Sequence, residues 1–170
     1  RAAAPDALVV DAPNLGFAGG SNLGASHLRS ADVVVLLNPD AVPADGCLAA
    51  LRAVASDEPS WGAWQALVTL PGGDVVNTDG NPVHFVGISW AGGHGRAVAD
   101  EGARREVATF SGAAVAVRRS AWDAAGGFDA RYFLYGEDVD LSLRLRLAGW
   151  KVGLEPDARV AHEYAFAKGD

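Results

Sequence analysis

The stretch FLYGEDVDLSLRLRLAGW, residues 133–150, decides the fold because it reads two ways. Leu141, Leu143, Leu145 and Leu147 alternate with Ser142, Arg144 and Arg146, which is the period of a half-buried strand. The same residues fit a helix, with Val139, Leu143 and Leu147 on one face and Leu141, Leu145 and Ala148 beside it. Three signals select the helix. Leucine and arginine are good helix formers. Glu137, Asp138 and Asp140 crowd the first turn, where the helix dipole favours acids, while Arg144 and Arg146 lie nearer the other end. Gly149 stands where a left-handed C-terminal cap belongs. Three carboxylates beside a leucine-rich face are costly unless something uses them. Asp140 and Arg144 have the i, i+4 spacing of a surface salt bridge. Glu137 or Asp138 is placed to cap the helix. Capping and pairing account for all three acids, or one remains as a general base kept ionised by the helix N-terminus. The residues alone leave both readings open.

Working outward, apolar β-branched runs alternate with alanine-rich stretches. ALVVD (7–11) and VVVLLN (33–38) read as buried strands. GGSNLGASHLRS (19–30) reads as a helix with a glycine-rich entry. Asp45 is placed to cap a second helix that puts Leu48, Leu51, Val54 and Ala55 on one face. WQALVTL (64–70) and GAAVAVRR (112–119) read as strands, and Ser120 opens a short helix ending near Gly126 and Gly127. Residues 71–106 are rich in glycine and turn formers, and read as a long excursion with short strands. The pattern predicts an α/β sandwich around a mostly parallel, mixed sheet.

Bulk numbers narrow the function. A chain of 170 residues, 49% apolar, is one domain's worth and not disordered. A net charge of −7 argues against a nucleic-acid backbone binder. Cys47 is the only cysteine, which rules out an intrachain disulfide and fits a reducing compartment such as the cytoplasm. No apolar run approaches the roughly 20 residues of a membrane span. The chain opens on Arg1 and holds no methionine, so a fragment or processed product is expected.

Four constellations can carry chemistry. In LLNPDA (36–41), Pro39 stops a strand between Asn38 and Asp40, at the strand end where open α/β sheets hold ligands. Oxygen ligands there suit Mg²⁺ or Mn²⁺ shared with a substrate phosphate; an ordinary Asn-Pro-Asp turn is the alternative. In NLGFAGGSNLG (14–24), Gly19 and Gly20 ahead of a helix can bring amides to an anion, or can serve close helix–strand packing. The acid cluster is the third. His162, at the end of PDARVAH (156–162), is the fourth, and a lone histidine is more often structural than a ligand.

These motifs occur in one order: N-x-GFAGG-x-N-x-G, LLNPDA, FSGAAVAVRRSAWDAAGGFDARYFLYGEDVDLSLRLRLAGW, PDARVAH. The series resembles family 2 glycosyltransferases of the GT-A fold, and within them the rhamnosyltransferase-like group of bacterial surface polysaccharide synthesis. The resemblance covers residues 14–56 and 107–164. It implies metal-dependent transfer of a sugar, rhamnose as first guess, from a nucleotide diphosphate-sugar to a glycan or lipid-linked hydroxyl, with inversion. Asn38-Pro39-Asp40 matches the family's metal motif, so Asp40 is expected as the main carboxylate on Mn²⁺ or Mg²⁺, with Asn38 supporting it and His162 joining the metal or diphosphate. Glu137-Asp138 matches the acceptor-side acid pair, so Asp138 is expected as general base and Glu137 as its positioner. Gly19, Gly20, Asn22, Ser111 and Gly112 fall on donor-binding stretches, and Trp90 is a candidate acceptor contact. The resemblance divides the single domain, residues 1–170, into a donor and metal half (1–70), a variable excursion (71–106), and an acceptor and base half (107–170). It also implies that the family's N-terminal nucleotide-gripping strand, helix and strand are missing, which would bare a sheet edge and invite dimerisation. Acceptor chemistry implies peripheral association with the inner membrane face. Two rivals remain: a non-catalytic nucleotide-sugar or polysaccharide-binding module, and a nucleotidyltransferase, which would need a basic glycine-rich phosphate loop not visible here.

Overall fold

The computed structural model describes residues 7–162. In chain order the elements are α1 (Gly16–Ser26), β1 (Val33–Leu37), β2 (Ala41–Pro43), α2 (Cys47–Asp57), β3 (Trp61–Thr69), β4 (Val76–Thr78), β5 (Arg105–Glu106), β6 (Ala114–Arg118), α3 (Arg119–Ala125), α4 (Glu137–Leu147) and β7 (Lys151–His162). A 3₁₀ turn, Val98–Asp100, lies between β4 and β5. One sheet runs β1-β6-β3-β7-β2, with β4 added on β3 and β5 on β7. β6 lies antiparallel to both β1 and β3, and β3 pairs with β7 in parallel. Strands β1, β3 and β7 therefore point the same way. β2, β4, β5 and β6 run against them, so among the described residues five strand pairs are antiparallel and β3–β7 alone is parallel: the sheet is mixed, as expected, but mostly antiparallel where a mostly parallel one was expected.

Helices cover both faces. On one, Ala18 and Ala25 of α1, Trp122 of α3, and Leu141 and Leu145 of α4 pack on Val34, Ala63, Val115, Val117 and Val152. On the other, Cys47, Leu51 and Val54 of α2 pack on Trp64, Ala66, Val68, Ala114, Ala116 and Val160. The alternation Ala114/Ala116 against Val115/Val117 follows the period of two that sends successive side chains to opposite faces. β3 is the centre, buried along all nine residues.

α4 is a helix, and its ends show why. Gly136 enters it at φ +90°, and Gly149 leaves it at φ +90°. Trp150 N–H donates to Leu145 O and Gly149 N–H to Arg146 O, both at 3.0 Å, which is a Schellman cap. The buried stripe differs from expectation. Leu141 and Leu145 are fully buried, but Leu143 and Leu147 are exposed. The face beside the sheet is completed by Ser142 and Glu137. Arg144 does more than bridge Asp140, because it also donates to Ala125 O at 2.6 Å and Gly127 O at 2.9 Å, closing the end of α3. Arg146 binds Ala108 O at 2.7 Å and also Val107 O.

Three other expectations change. Residues 7–11 form no strand and join no ladder of the sheet, and Leu8 and Val9 stay exposed. β1 lies at the sheet margin, so Val34 alone of its five residues is buried. α2 opens on Gly46 at φ +81°, without a side-chain cap from Asp45, and Leu48 points out. The excursion 71–106 is held in place. Asp79 pairs with Arg96 and Arg105, Glu101 pairs with the same two arginines, and Asn81 and Thr109 exchange backbone hydrogen bonds.

Candidate active site

β1 delivers Asn38 and Asp40 just past its carboxyl end, and Asn38 N–H donates to Ala113 O at 3.0 Å. β7 ends on His162, whose backbone pairs with β2 at Ala41. The three side chains meet there. His162 Nε2 lies 3.2 Å from Asp40 Oδ1 and 3.3 Å from Asn38 Nδ2. A protonated Nε2 donates to Asp40, and an unprotonated one accepts from Asn38. Asn38 Oδ1 is buried with no hydrogen-bond partner, and a buried orphan oxygen calls for a ligand or a cation. One carboxylate, one imidazole and one free amide oxygen suit a Mn²⁺- or Mg²⁺-type ion that draws its remaining oxygens from a substrate. Among the described residues no three His, Cys, Asp or Glu side chains converge on a metal position.

Glu137 and Asp138 stand at the start of α4, and neither is its cap; Gly136 holds that position. Asp138 Oδ2 accepts from Gly112 N–H at 3.1 Å, and its Oδ1 accepts from Val139 N–H at 2.8 Å. Burial pushes its pKa up, and those backbone hydrogen bonds act against the rise. Glu137 is buried and its Oε2 has no partner. Burial, and after it the charge of Asp138, raises its pKa. The helix N-terminus was expected to dominate here; desolvation outweighs it.

Asn38, Asp40, Ser111, Gly112, Glu137, Asp138 and His162 all line one cleft of about 730 Å³. Asn81, Ser89 and Trp90 from the excursion form another wall, and Phe17, Tyr132 and Tyr135 a third. Tyr135 sits at φ +69°, the left-handed region that non-glycine residues seldom adopt, in the turn that presents Glu137. Gly112 is needed as glycine: a Cβ there would lie 2.9 Å from the Phe17 ring. A hollow of about 830 Å³ within the excursion is larger, but its Asp79, Arg96, Glu101 and Arg105 pair with one another.

Gly19, Gly20 and Asn22 do not line the cleft. The glycines lie inside α1, which begins at Gly16. The first amides of that helix are taken, Gly16 N–H by Asn14 Oδ1 and Phe17 N–H by Phe133 O. Asn22 instead clasps Phe128, donating to its carbonyl at 2.8 Å and accepting from its N–H at 2.9 Å. Two residues beside the site were missed by the sequence reading, Gln65 and Ser142. Both are fully buried and hydrogen-bond the turn at 110–111. Their signal was a polar residue inside an otherwise apolar strand or helix face.

The sequence profile of glycosyl transferase family group 2 matches residues 33–167. Two Mycobacterium tuberculosis proteins, each named N-acetylglucosaminyl-diphospho-decaprenol L-rhamnosyltransferase, are 37% identical over 150 residues, 81% of this chain and 49% of theirs. The chain thus spans about half the length of these curated relatives. The O-antigen biosynthesis protein RfbC of Myxococcus xanthus is 36% identical over 63 residues, 36% of this chain and 5% of its own. The crystal structure of GalNAc-T7 with UDP, GalNAc and Mn²⁺ superposes with a TM-score of 0.71 at 16% identity, over 91% of this chain and 31% of that one. That likeness establishes a GT-A-like fold. With the profile matching most of its length, the chain belongs to glycosyl transferase family group 2.

Proposed function

We propose that the protein is a metal-dependent inverting glycosyltransferase in which the two ends of the cleft divide the work. The observation that carries this reading is that Asp40 and Asp138, ninety-eight positions apart in the chain, line one cleft with room for a sugar. Asp138 takes the proton of the acceptor hydroxyl as its oxygen attacks the anomeric carbon. Its two backbone hydrogen bonds leave the carboxylate oriented, and partial burial raises its basicity. Glu137, one position earlier, braces that turn or meets the acceptor. Asp40, with Asn38 and His162, would hold the cation, and through it the donor diphosphate. When bound, the metal supplies charge neutralisation at the departing diphosphate. Ser111 and Gly112 bound the donor sugar. In this scheme residues 1–70, joined by Ser111, Gly112 and His162, supply the donor and metal side, 71–106 the acceptor wall, and the rest of 107–170 the base side.

The acceptor is proposed to be a sugar on a polyprenyl diphosphate, and the transferred sugar to be rhamnose. The names of the mycobacterial relatives support this, as does the apolar part of the cleft wall. Trp90 and Leu134 line the cleft and are half exposed, where the lipid part of such an acceptor would lie. No helix among the described residues is long and apolar enough to cross a membrane.

The test is transfer of rhamnose from a nucleoside diphosphate donor to polyprenyl-diphosphate-linked N-acetylglucosamine with Mn²⁺. Turnover that stops on chelation and returns with Mn²⁺ supports the proposal. Donor binding without any turnover or donor hydrolysis favours the binding module instead.

A further inference from the structure

Three consecutive backbone amides in the turn before β6 each end on a side chain. Phe110 N–H donates to Ser142 Oγ at 3.1 Å, Ser111 N–H to Gln65 Oε1 at 2.7 Å, and Gly112 N–H to Asp138 Oδ2 at 3.1 Å. Gln65 and Ser142 are fully buried. The hydroxyl of Ser142 also donates to the carbonyl of Asp138 at 2.7 Å, so one atom bridges the turn and the first turn of α4. Gln65 sits mid-strand in β3, opposite Val115 of β6 and Leu154 of β7. Its Nε2 donates to Ala66 O at 3.2 Å and Thr78 O at 3.3 Å. It thereby ties the turn to β4, the strand that leads into the excursion wall of the cleft.

A buried polar side chain costs stability unless its hydrogen bonds are made, and a buried amide left alone costs as much. Gln65 and Ser142 satisfy both conditions for the first two amides. The third amide, Gly112, is then held facing a carboxylate and not a carbonyl. We propose that Gln65 and Ser142 are positioning residues that aim the Gly112 amide at Asp138 and so fix the orientation of the base. This rests on the assignment of Asp138 as base.

The consequence is specific. A loosened turn lets Gly112 N–H leave Oδ2, and the charged form of Asp138 loses a hydrogen bond that favours it. The other titratable groups lining the cleft are Glu137 and Asp140 from α4, Asp40 past the end of β1, His162 at the end of β7, and Tyr132 and Tyr135 from the turn before α4. The hydrogen bonds of Gln65 and Ser142 described above all go to backbone groups, and neither replacement removes a charge, so a change in the pH profile reports on the turn that carries the Gly112 contact.

The experiment measures transfer by the full chain against pH for Ser142→Ala, Gln65→Met and Asp138→Asn, with melting curves to confirm folding. For either positioning variant that folds, kcat is expected to fall about tenfold with donor KM within about twofold, as a misaimed base requires. The acidic limb of kcat is expected to move to higher pH. An unmoved limb overturns the proposal, whether kcat is unchanged or falls together with a rise in KM. If neither variant folds, the carboxyl ¹³C titration of Asp138 in Ser142→Cys takes their place, with an upward shift expected and no shift contrary. Asp138→Asn separates the two levels. Full transfer by that variant refutes the base assignment itself. Its loss of transfer beside an unaltered Ser142→Ala refutes the positioning role alone.

Discussion

Replacing Gly112 by alanine tests the tightest contact in the cleft. Gly112 has no positive φ, so alanine suits its backbone and the effect is steric. The added Cβ would stand 2.9 Å from Phe17 Cζ and 3.0 Å from Cε1, and 3.9 Å from Asp138 Cβ. Carbon atoms prefer a separation of about 3.5–4.0 Å, so the ring or the turn must yield by roughly 0.6–1 Å. Phe17 has little freedom, since its N–H is bound to Phe133 O and its ring packs on Phe128 at 5.5 Å. The turn takes up the displacement. The Gly112–Asp138 hydrogen bond, 3.1 Å at rest, is then stretched past useful length. Overpacking of this kind costs about 1–3 kcal/mol, which at about 2–4 °C per kcal/mol lowers the melting temperature by several degrees. Misplacing a reacting group by about 1 Å costs on the order of a hundredfold in rate. The assay is kcat for transfer beside a thermal melt. Trimming the ring in the double variant Phe17→Leu, Gly112→Ala should return most of both. A single variant with parental rate and melting temperature, or a double variant no better than the single, would refute this reasoning.

Transfer needs Asp138 ionised, so kcat/KM should rise with pH through its pKa; burial pushes that pKa up, so the limb should lie above the ordinary aspartate value of about 3.9. A pH–rate profile with its acidic limb below that value would contradict the burial. Glu137 is raised by burial and by Asp138, so the folded state holds a proton that the unfolded chain has lost. Its stabilising contribution is complete below the unfolded pKa and is lost as pH climbs through the folded one. The melting temperature of Glu137→Gln relative to the parent should therefore rise with pH across that window. Leu145, fully buried, should cost about 2–5 kcal/mol as alanine. Leu147, 89% exposed, should change stability by less than about 0.5 kcal/mol in a denaturant titration.

The cleft was legible in the sequence to the extent that its motifs carried local signals. Acids and arginines at opposite ends, with Gly149 at the close, announced α4, and the glycines that cap it are where turn chemistry places them. The pairing of Asp40 with Asp138 in one cleft followed from a resemblance, not from periodicity. What stayed hidden depends on neighbours. Leu143 and Leu147 read like Leu141 and Leu145, and only the sheet decides which pair is covered. The run 7–11 has a strand's composition, but a strand needs a hydrogen-bonded partner, and this run joins no ladder of the sheet. Asn22 falls by resemblance on a donor-binding stretch, while its amide is committed to Phe128, 106 positions away. Gln65 in WGAWQALVT gave a composition signal without a direction. Its meaning comes from Ser111, 46 positions on.

The most direct test of the division of labour in the cleft is Asp138→Asn, with donor affinity measured by calorimetry and transfer in a single turnover, both with Mn²⁺. The asparagine keeps the shape of the side chain and cannot take the acceptor's proton. Donor affinity should stay within about twofold while transfer falls by about 10²- to 10⁴-fold, the range for loss of a general base. Transfer at the parental rate, with the donor bound as before, would contradict it.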